Sequence, residues 1–374
     1  MTLERIPLSV PDLRGTEAAY LNECITDNWV SSAGPFVIEM ENRMAALCDR
    51  GYAMAMVNGT AALHMALIAA GIGKGDRVIV PDWTFAASVN AIIHAGAEPV
   101  FVDVTADTWT LDPDLVRETL SSSEKPISAV MPVHVLGHPV DIDALAAVVG
   151  DLPVIEDSAG AIGALYKGRH VGNFGLVSAF SFNGNKTVTA GGGGMVLTDD
   201  EETANRIRHL STQARVGSDY LHDAVGFNYR MTNLNAAVGL AQLERLDEMV
   251  EIKHRIAAIY DEAIAGRDDV AAMPRAAWAD SSCWLYSVRV GSEADANRLV
   301  TAMQEATIEA RIFWRSLSAQ AVYASAPKHL SGVSAALSGV VISLPCSSGL
   351  TEAQQSRVID VLRNWQGTNV AEIR

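Results

Sequence analysis

The chain carries six lysines, and one of them differs from the rest in its surroundings. Lys74 lies between two glycines, Lys125 between Glu124 and Pro126, and Lys167 in Tyr-Lys-Gly-Arg. Lys253 reads as part of a charged helix face and Lys328 sits beside Pro327, so these five are expected to be solvated. Lys186 follows the apolar strand Ala179-Phe180-Ser181-Phe182 through Asn183-Gly184-Asn185, with no acidic residue nearby in sequence. An amine at the end of a buried strand has its charged form disfavoured by desolvation. Neutral, it is a nucleophile that can form a Schiff base. The alternative is a side chain that reaches out to solvent.

Two further segments carry candidate chemistry. Asn58-Gly59-Thr60-Ala61-Ala62 joins a strand to a helix. Free N–H groups at that helix start, with the Thr60 hydroxyl, form a natural phosphate seat; Thr60 as a simple helix start is the other reading. Val154-Ile155-Glu156-Asp157-Ser158-Ala159 puts two carboxylates at the carboxyl end of a buried strand, the edge where ligands bind in open α/β sheets. Such a carboxylate holds a cation or caps the next helix. Gly191 to Gly194 follow the lysine and lead into a strand, so they are no Walker loop. Their expected task is close approach of backbone to something flat or bulky.

A lysine amine, a phosphate seat and a strand-end carboxylate together describe a pyridoxal phosphate site. The carboxylate keeps the ring nitrogen protonated, which makes the ring an electron sink. At about 3 Å and an effective dielectric near 20, that charge pair is worth on the order of 5 kcal/mol.

The elements that must position these groups are legible as apolar runs. Strands are expected at Ala53–Val57, Arg77–Val80, Pro99–Val104, Ile127–His134, Pro153–Asp157, Leu176–Phe182 and Met195–Thr198. Helices are expected at Thr60–Ala70, Ala86–Ala95 and Glu201–Leu210, and Pro35 opens another. Continuous rather than alternating apolar strands suit a largely parallel sheet covered on both faces. Asn233 to about Ala265 reads as one long helix. Beyond it, strands Trp284–Val290 and Val340–Leu344 alternate with helices Glu293–Ala306 and Thr351–Trp365. The expected architecture is α/β, with a large domain over residues 1–250 and a smaller α/β domain over 251–374.

Composition excludes several other classes. Of 374 residues, 49% are hydrophobic and 19% charged, a globular mixture that argues against disorder and fibres. The net charge of −16 repels phosphate backbones and disfavours nucleic acid and anionic membranes as partners. No apolar run is long enough for a membrane span, and Met1-Thr2-Leu3-Glu4-Arg5 does not read as a signal peptide. The four cysteines are far apart without metal spacing, which suits reduced thiols in a cytoplasmic protein and no metal site.

Six motifs in order make the chain similar to the DegT/DnrJ/StrS sugar aminotransferases. They are Gly-Thr-Ala-Ala-Leu (59–63), Val-Ile-Val-Pro-Asp-Trp-Thr-Phe (78–85), Glu-Asp-Ser-Ala (156–159), Phe-Ser-Phe-Asn-Gly-Asn-Lys (180–186), Gly-Gly-Gly-Met-Val (192–196) and Gly-Phe-Asn-Tyr-Arg-Met-Thr (226–232). The resemblance implies the pyridoxal-phosphate transferase fold type I, like aspartate aminotransferase, and a homodimer with shared active sites. It implies Lys186 as the Schiff-base lysine and Asp157 as the partner of the ring nitrogen. Thr60, Ala61 and Ser181 would hold the cofactor phosphate, and Phe85 would stack on the ring. Asn228 would reach the phosphate in the neighbouring subunit. One position departs from the pattern. Three residues after the aspartate many members carry Gln, His or Glu, and here Gly160 stands.

Asn-Trp-Val-Ser-Ser-Ala-Gly (28–34), Phe-Asn-Gly-Asn-Lys (182–186) and Arg-Ile-Phe-Trp-Arg (311–315) look most like the branch that aminates C4 of nucleotide-linked 4-keto-6-deoxy sugars, the bacillosamine, legionaminic-acid and perosamine enzymes. Trp29, Ser31, Arg230, Trp314 and Arg315 are the candidate substrate contacts. Arg230, Arg311 and Arg315 are candidates to offset the acidic surface for two anionic substrates, L-glutamate and a sugar nucleotide. The expected reaction has two stages: glutamate leaves the cofactor in its pyridoxamine phosphate form, and the keto sugar then takes the amino group. Amination at another carbon, a cyclitol ketone, and a non-catalytic regulatory or binding protein that keeps the fold are the rival readings. Dehydrating relatives replace the lysine with histidine, so Lys186 argues for amino transfer.

Overall fold

A computed structural model describes residues 4–373; Met1–Leu3, the start of the N-terminal stretch read above, lie outside it. In the large unit, the strands Tyr52–Met56, Gly194–Thr198, Val177–Ser181 and Ile155–Asp157 form one ladder in that order. Lys328–His329, Glu98–Val102, Arg77–Pro81 and Ala129–Val130 form a second. The parallel bridges Val130–Val154 and Val133–Asp157 join the two into one sheet. Its pairings are parallel except around Gly194–Thr198, which runs against both neighbours. That exception has a local cause. The chain returns from Ser181 to Gly194 through a glycine-rich loop, and a parallel return needs a crossover long enough to span the sheet.

Alternate residues of these strands feed different cores, as the two-residue repeat of a strand requires. Met54, Met56, Ala179 and Val196 enter one apolar cluster, and Ala53, Ala55, Phe180, Met195 and Leu197 enter another. Burial on both faces is why the strands read as unbroken apolar runs. The expected strand Ile127–His134 is shorter, with ladder pairing only at Ala129–Val130. Pro132 has no N–H to give a ladder, and the segment instead meets its neighbours through Met131 N–H to Ile79 O and His134 N–H to Asp157 O.

The long helix expected from Asn233 is two helices, Asn233–Leu243 and Leu246–Ile264. The break comes at Arg245, whose backbone leaves helical geometry at φ −110° and ψ 11°. Its guanidinium donates to the Asp12 carboxylate at 3.2 Å and to Glu248 at 3.0 Å. Apolar spacing continues across the junction, which is why the pattern hides it. Leu246 and Met249 pack in the first unit, and Ile256, Ala257, Tyr260 and Ile264 in the second. The expected division at 250/251 falls inside this helix. Ile6 joins the second unit's core and bridges Ile308, while Lys328–His329 lies in the large sheet.

The second unit also alternates helix and strand, but its sheet is antiparallel. The order is Val270–Ala272, Tyr286–Val290, Val341–Leu344, Arg311–Ile312. Among the described residues no helix is long and apolar enough to cross a membrane.

Lys253 corrects the sequence reading. It is 2% exposed rather than solvated. Glu251 and Arg255 beside it are exposed, but Lys253 shares its helix face with Met249, Ile256 and Tyr260, four before and three and seven after. Its ammonium donates to the carbonyls of Trp284 at 3.1 Å and Cys346 at 2.5 Å. Lys253→Met removes a buried charge but leaves two buried carbonyls without this donor, at about 1–3 kcal/mol each. Thermal unfolding is expected to show a net loss of about 1–3 kcal/mol; an unchanged melting temperature would mean the contacts carry no stability.

Candidate active site

Four pieces of backbone end at one edge of the large sheet. Ile155–Asp157 and Val177–Ser181 arrive there with their carboxyl ends, and the helices Gly59–Ala69 and Ala86–His94 begin there. Between them lies a cavity of about 430 Å³, lined by Thr60, Phe85, Asp157, Ser181, Lys186 and Trp314 among others.

Successive residues of a strand face opposite sides, so Glu156 and Asp157 have different environments. Glu156 is buried and ties down the loop after it, accepting from the N–H groups of Gly172, Phe174 and Gly175 and lying 3.3 Å from His134 Nε2. Burial works against its charge, but His134 and the N–H groups of Gly175 and Gly172 hold its carboxyl below the usual range. Asp157 is 3% exposed and faces the cavity. The Ser88 hydroxyl donates to one oxygen at 2.7 Å and the Ala159 N–H to the other at 3.0 Å. Burial raises its pKa despite those donors and the pull of Lys186. Among the described residues Asp157 has no ion-pair partner. A carboxylate in this state has lone pairs left for a cation in the cavity.

The helix at Gly59 is capped by Asn58, whose Oδ1 accepts from Ala61 N–H at 2.8 Å. Thr60 is therefore not the cap, and the Ala61 N–H is already engaged. The N–H groups of Gly59 and Thr60 have no acceptor among the described residues. With the Thr60 and Ser181 hydroxyls beside the same cavity, they offer a phosphate seat. The seat explains two glycines. A Cβ on Gly59 would stand 2.7 Å from Ser181 Cβ, and one on Gly194 would stand 2.5 Å from Asn58 O. The glycine-rich loop thus lets strand Gly194–Thr198 pass tightly beneath the cap residue.

Lys186 ends a turn closed by its own N–H to Asn183 O at 3.0 Å. Burial lowers its pKa to about 7, against the opposing attraction of Asp157. The neutral, nucleophilic form is thus far more accessible near neutral pH than in an ordinary lysine. Its Nζ sits 3.4 Å from the centre of the Trp284 ring.

The other candidates divide. Phe85 is 61% exposed at the cavity mouth, so it is no core residue. Trp314 lines the cavity and packs against Phe313 and Trp83, with ring centres 5.5 and 5.3 Å away. Arg311 lines it and pairs with Glu309 at 2.6 Å. Arg315 does not line it and pairs with Glu293. Trp29, Ser31, Asn228 and Arg230 also stand outside this chain's own cavity. Asn58, Ser88, His134 and Trp284 also shape the site and were not among the residues expected there. Asn58 carried a signal, a helix-capping residue type directly before the helix. The other three reach the site across contacts that local pattern does not record.

Fold and site together define a fold type I pyridoxal-phosphate enzyme. The fit to that cofactor rests on the donor set: a desolvated amine, a buried carboxylate lacking a cation, and an open helix start in one cavity. The chain belongs to the DegT/DnrJ/EryC1/StrS aminotransferase family, whose model matches residues 11–363. It is 39% identical over 369 residues to a GDP-perosamine synthase of Caulobacter vibrioides, covering 96% of this chain and 98% of that one. It is 45% identical over 265 residues to a GDP-perosamine synthase of Escherichia coli O157:H7, covering 70% and 72%. The crystal structure of S. venezuelae DesV superposes with a TM-score of 0.89 at 33% identity, over 97% of this chain and 99% of that one. The chain is a pyridoxal-phosphate-dependent sugar aminotransferase.

Proposed function

We propose that this enzyme moves the amino group of L-glutamate to C4 of a nucleotide-linked 4-keto-6-deoxy sugar, GDP-linked in the first instance. The observation that carries the reading is the convergence of Lys186 and Asp157 on one cavity beside an open helix N-terminus. The choice of sugar is supported by the relatives named GDP-perosamine synthase.

Bound pyridoxal phosphate supplies an electron sink joined to the amino nitrogen. Lys186 carries the proton: an amine titrating near pH 7 can both take a proton from carbon and return it. Asp157 holds positive charge at the ring nitrogen, and Ser88 and Ala159 fix the carboxylate plane. Gly59 and Thr60 N–H groups, with the Thr60 and Ser181 hydroxyls, hold the phosphate. Phe85 covers one ring face. Trp314 packs on the sugar nucleotide, and Arg311 offers charge to its diphosphate.

The active form is a homodimer. Tyr220, Leu221 and Val225 are exposed apolar residues of one hairpin region, which suits burial against a second copy. In that dimer Asn228 reaches the phosphate in the other subunit, and Trp29, Ser31 and Arg230 serve the shared site. Four buried, unpaired cysteines suit the reducing cytoplasm.

A panel of GDP-, UDP- and dTDP-linked 4-keto-6-deoxy sugars, each with glutamate, tests the assignment by mass spectrometry. The GDP sugar is expected to gain an amino group while glutamate becomes 2-oxoglutarate. Amination of a UDP or dTDP sugar alone would overturn the nucleotide, and amination of a cyclitol ketone alone would overturn the sugar.

A further inference from the structure

Gly160 leaves a space in the site, and the structure contains what fills it. A Cβ built on Gly160 would stand 2.7 Å from Trp284 Cε3 and 3.1 Å from Cζ3. The indole is thus in direct contact with the Gly160 backbone, and no larger residue fits there unless the ring moves. Trp284 stands just before strand Tyr286–Val290, 124 positions along the chain from Gly160, and is held at three points. Its Nε1 donates to Asn185 O at 2.8 Å, one residue before Lys186. Its carbonyl accepts from the buried Lys253 ammonium at 3.1 Å. Its ring packs in a cluster with Trp83, Val133 and Leu136.

The face of that ring lies under the Lys186 amine at 3.4 Å, and among the described residues the amine has no hydrogen-bond acceptor. The charged or titratable groups that line the same cavity are Asp157 at the end of its strand, His134, and Arg311 of the second unit, and of these Asp157 acts on the amine. None of them bonds to it. A cation over the face of tryptophan is attracted by the ring quadrupole, most strongly where water is excluded.

We propose that Trp284 is the positioning residue that replaces the side chain missing at Gly160: its indole is the seat of the Lys186 amine whenever that amine is not bonded to cofactor. This deepens the reading above and rests on it for its purpose. Between the two stages of transfer the freed amine needs a fixed place within reach of the reacting carbon. The ring supplies that place without itself accepting the proton.

The test uses cofactor-free protein, so it can fail while the aminotransferase assignment stands, and the reverse. Acetic anhydride acylates only the neutral amine. Labelling of Lys186 is followed against pH by peptide mass spectrometry, with exposed Lys125 as internal reference. Trp284→Leu keeps an apolar neighbour but removes the quadrupole. Its Lys186 titration is expected to move down by about one pH unit, a roughly tenfold rise in labelling on the acid side. Trp284→Phe, which keeps an aromatic face, is expected to recover most of the difference. Gly160→Ala, with Trp284 intact, is expected to displace the ring and shift Lys186 in the same direction. The double variant Gly160→Ala/Trp284→Leu should then shift no further than Trp284→Leu alone. Circular dichroism confirms that each variant is folded. An unmoved titration in folded Trp284→Leu, or a Gly160→Ala shift that simply adds in the double variant, overturns the proposal.

Discussion

Lys186→Ala is expected to lower amino transfer by about 10⁴-fold, because in the proposed mechanism it removes the group that moves the proton. The protein should still fold, since the amine makes no hydrogen bond that holds another element. Lys186→Arg separates the roles. Arginine keeps a positive charge but stays protonated, so it should be as inactive as alanine; recovery with arginine would make Lys186 a fixed charge instead. A small primary amine added to Lys186→Ala is expected to restore part of the rate, rising with pH. Stability gives an independent reading. The Lys186 pKa is lowered to about 7 in the folded, cofactor-free chain from an ordinary 10.5. Between those values the unfolded chain binds more protons, so stability rises with pH across that window. Below about pH 7 the cost of burying the ammonium is fully present. Lys186→Met should therefore be more stable than the parent at pH 6, with the gain fading toward pH 10.5. A gain that grows with pH would contradict the assignment.

Asp157→Asn is expected to cost nearly as much. The amide fills the same volume but carries no charge for the ring nitrogen. The pair it loses is worth on the order of 5 kcal/mol at about 3 Å and an effective dielectric near 20, which corresponds to roughly 10³–10⁴-fold in rate. Because that charge acts on the reacting ring rather than on sugar binding, kcat should fall while KM for the sugar stays within a few-fold. An unchanged kcat with a raised KM would make Asp157 a substrate contact. The geometry also ranks its neighbours. Ser88 donates one hydrogen bond to the carboxylate at 2.7 Å and carries no charge, so its removal should cost far less than removal of Asp157.

Much of this site could be read from the chain, and the reason is local. Strands buried on both faces write themselves as apolar runs, so their ends, where Asp157 and Lys186 stand, could be located. A lysine with no acid near it, after such a strand, stands out from five others in turns or on charged faces. The misreadings share a different cause. Lys253 has exposed charged neighbours, and only its register with Met249, Ile256 and Tyr260 reveals that it is buried. At the helix break Arg245 bonds Asp12, which lies 233 residues away. Trp284 looks like one more aromatic residue before a strand, and the role proposed for it rests on contacts with Asn185 and Gly160. Gly160 announced an absence, but only the fold shows what occupies the space. Pattern reads what a segment does to its own neighbours; it does not record which distant segment arrives beside it.

The claim on which the mechanism rests is that Lys186 is the amine that tethers the cofactor. Reducing the protein loaded with pyridoxal phosphate with borohydride fixes that bond as a stable secondary amine, and peptide mass spectrometry then locates it. One labelled peptide is expected, with the cofactor on Lys186, and that label should be lost when glutamate is added before reduction. A label on Lys253 or on any of the exposed lysines, with Lys186 unmodified, would contradict the claim.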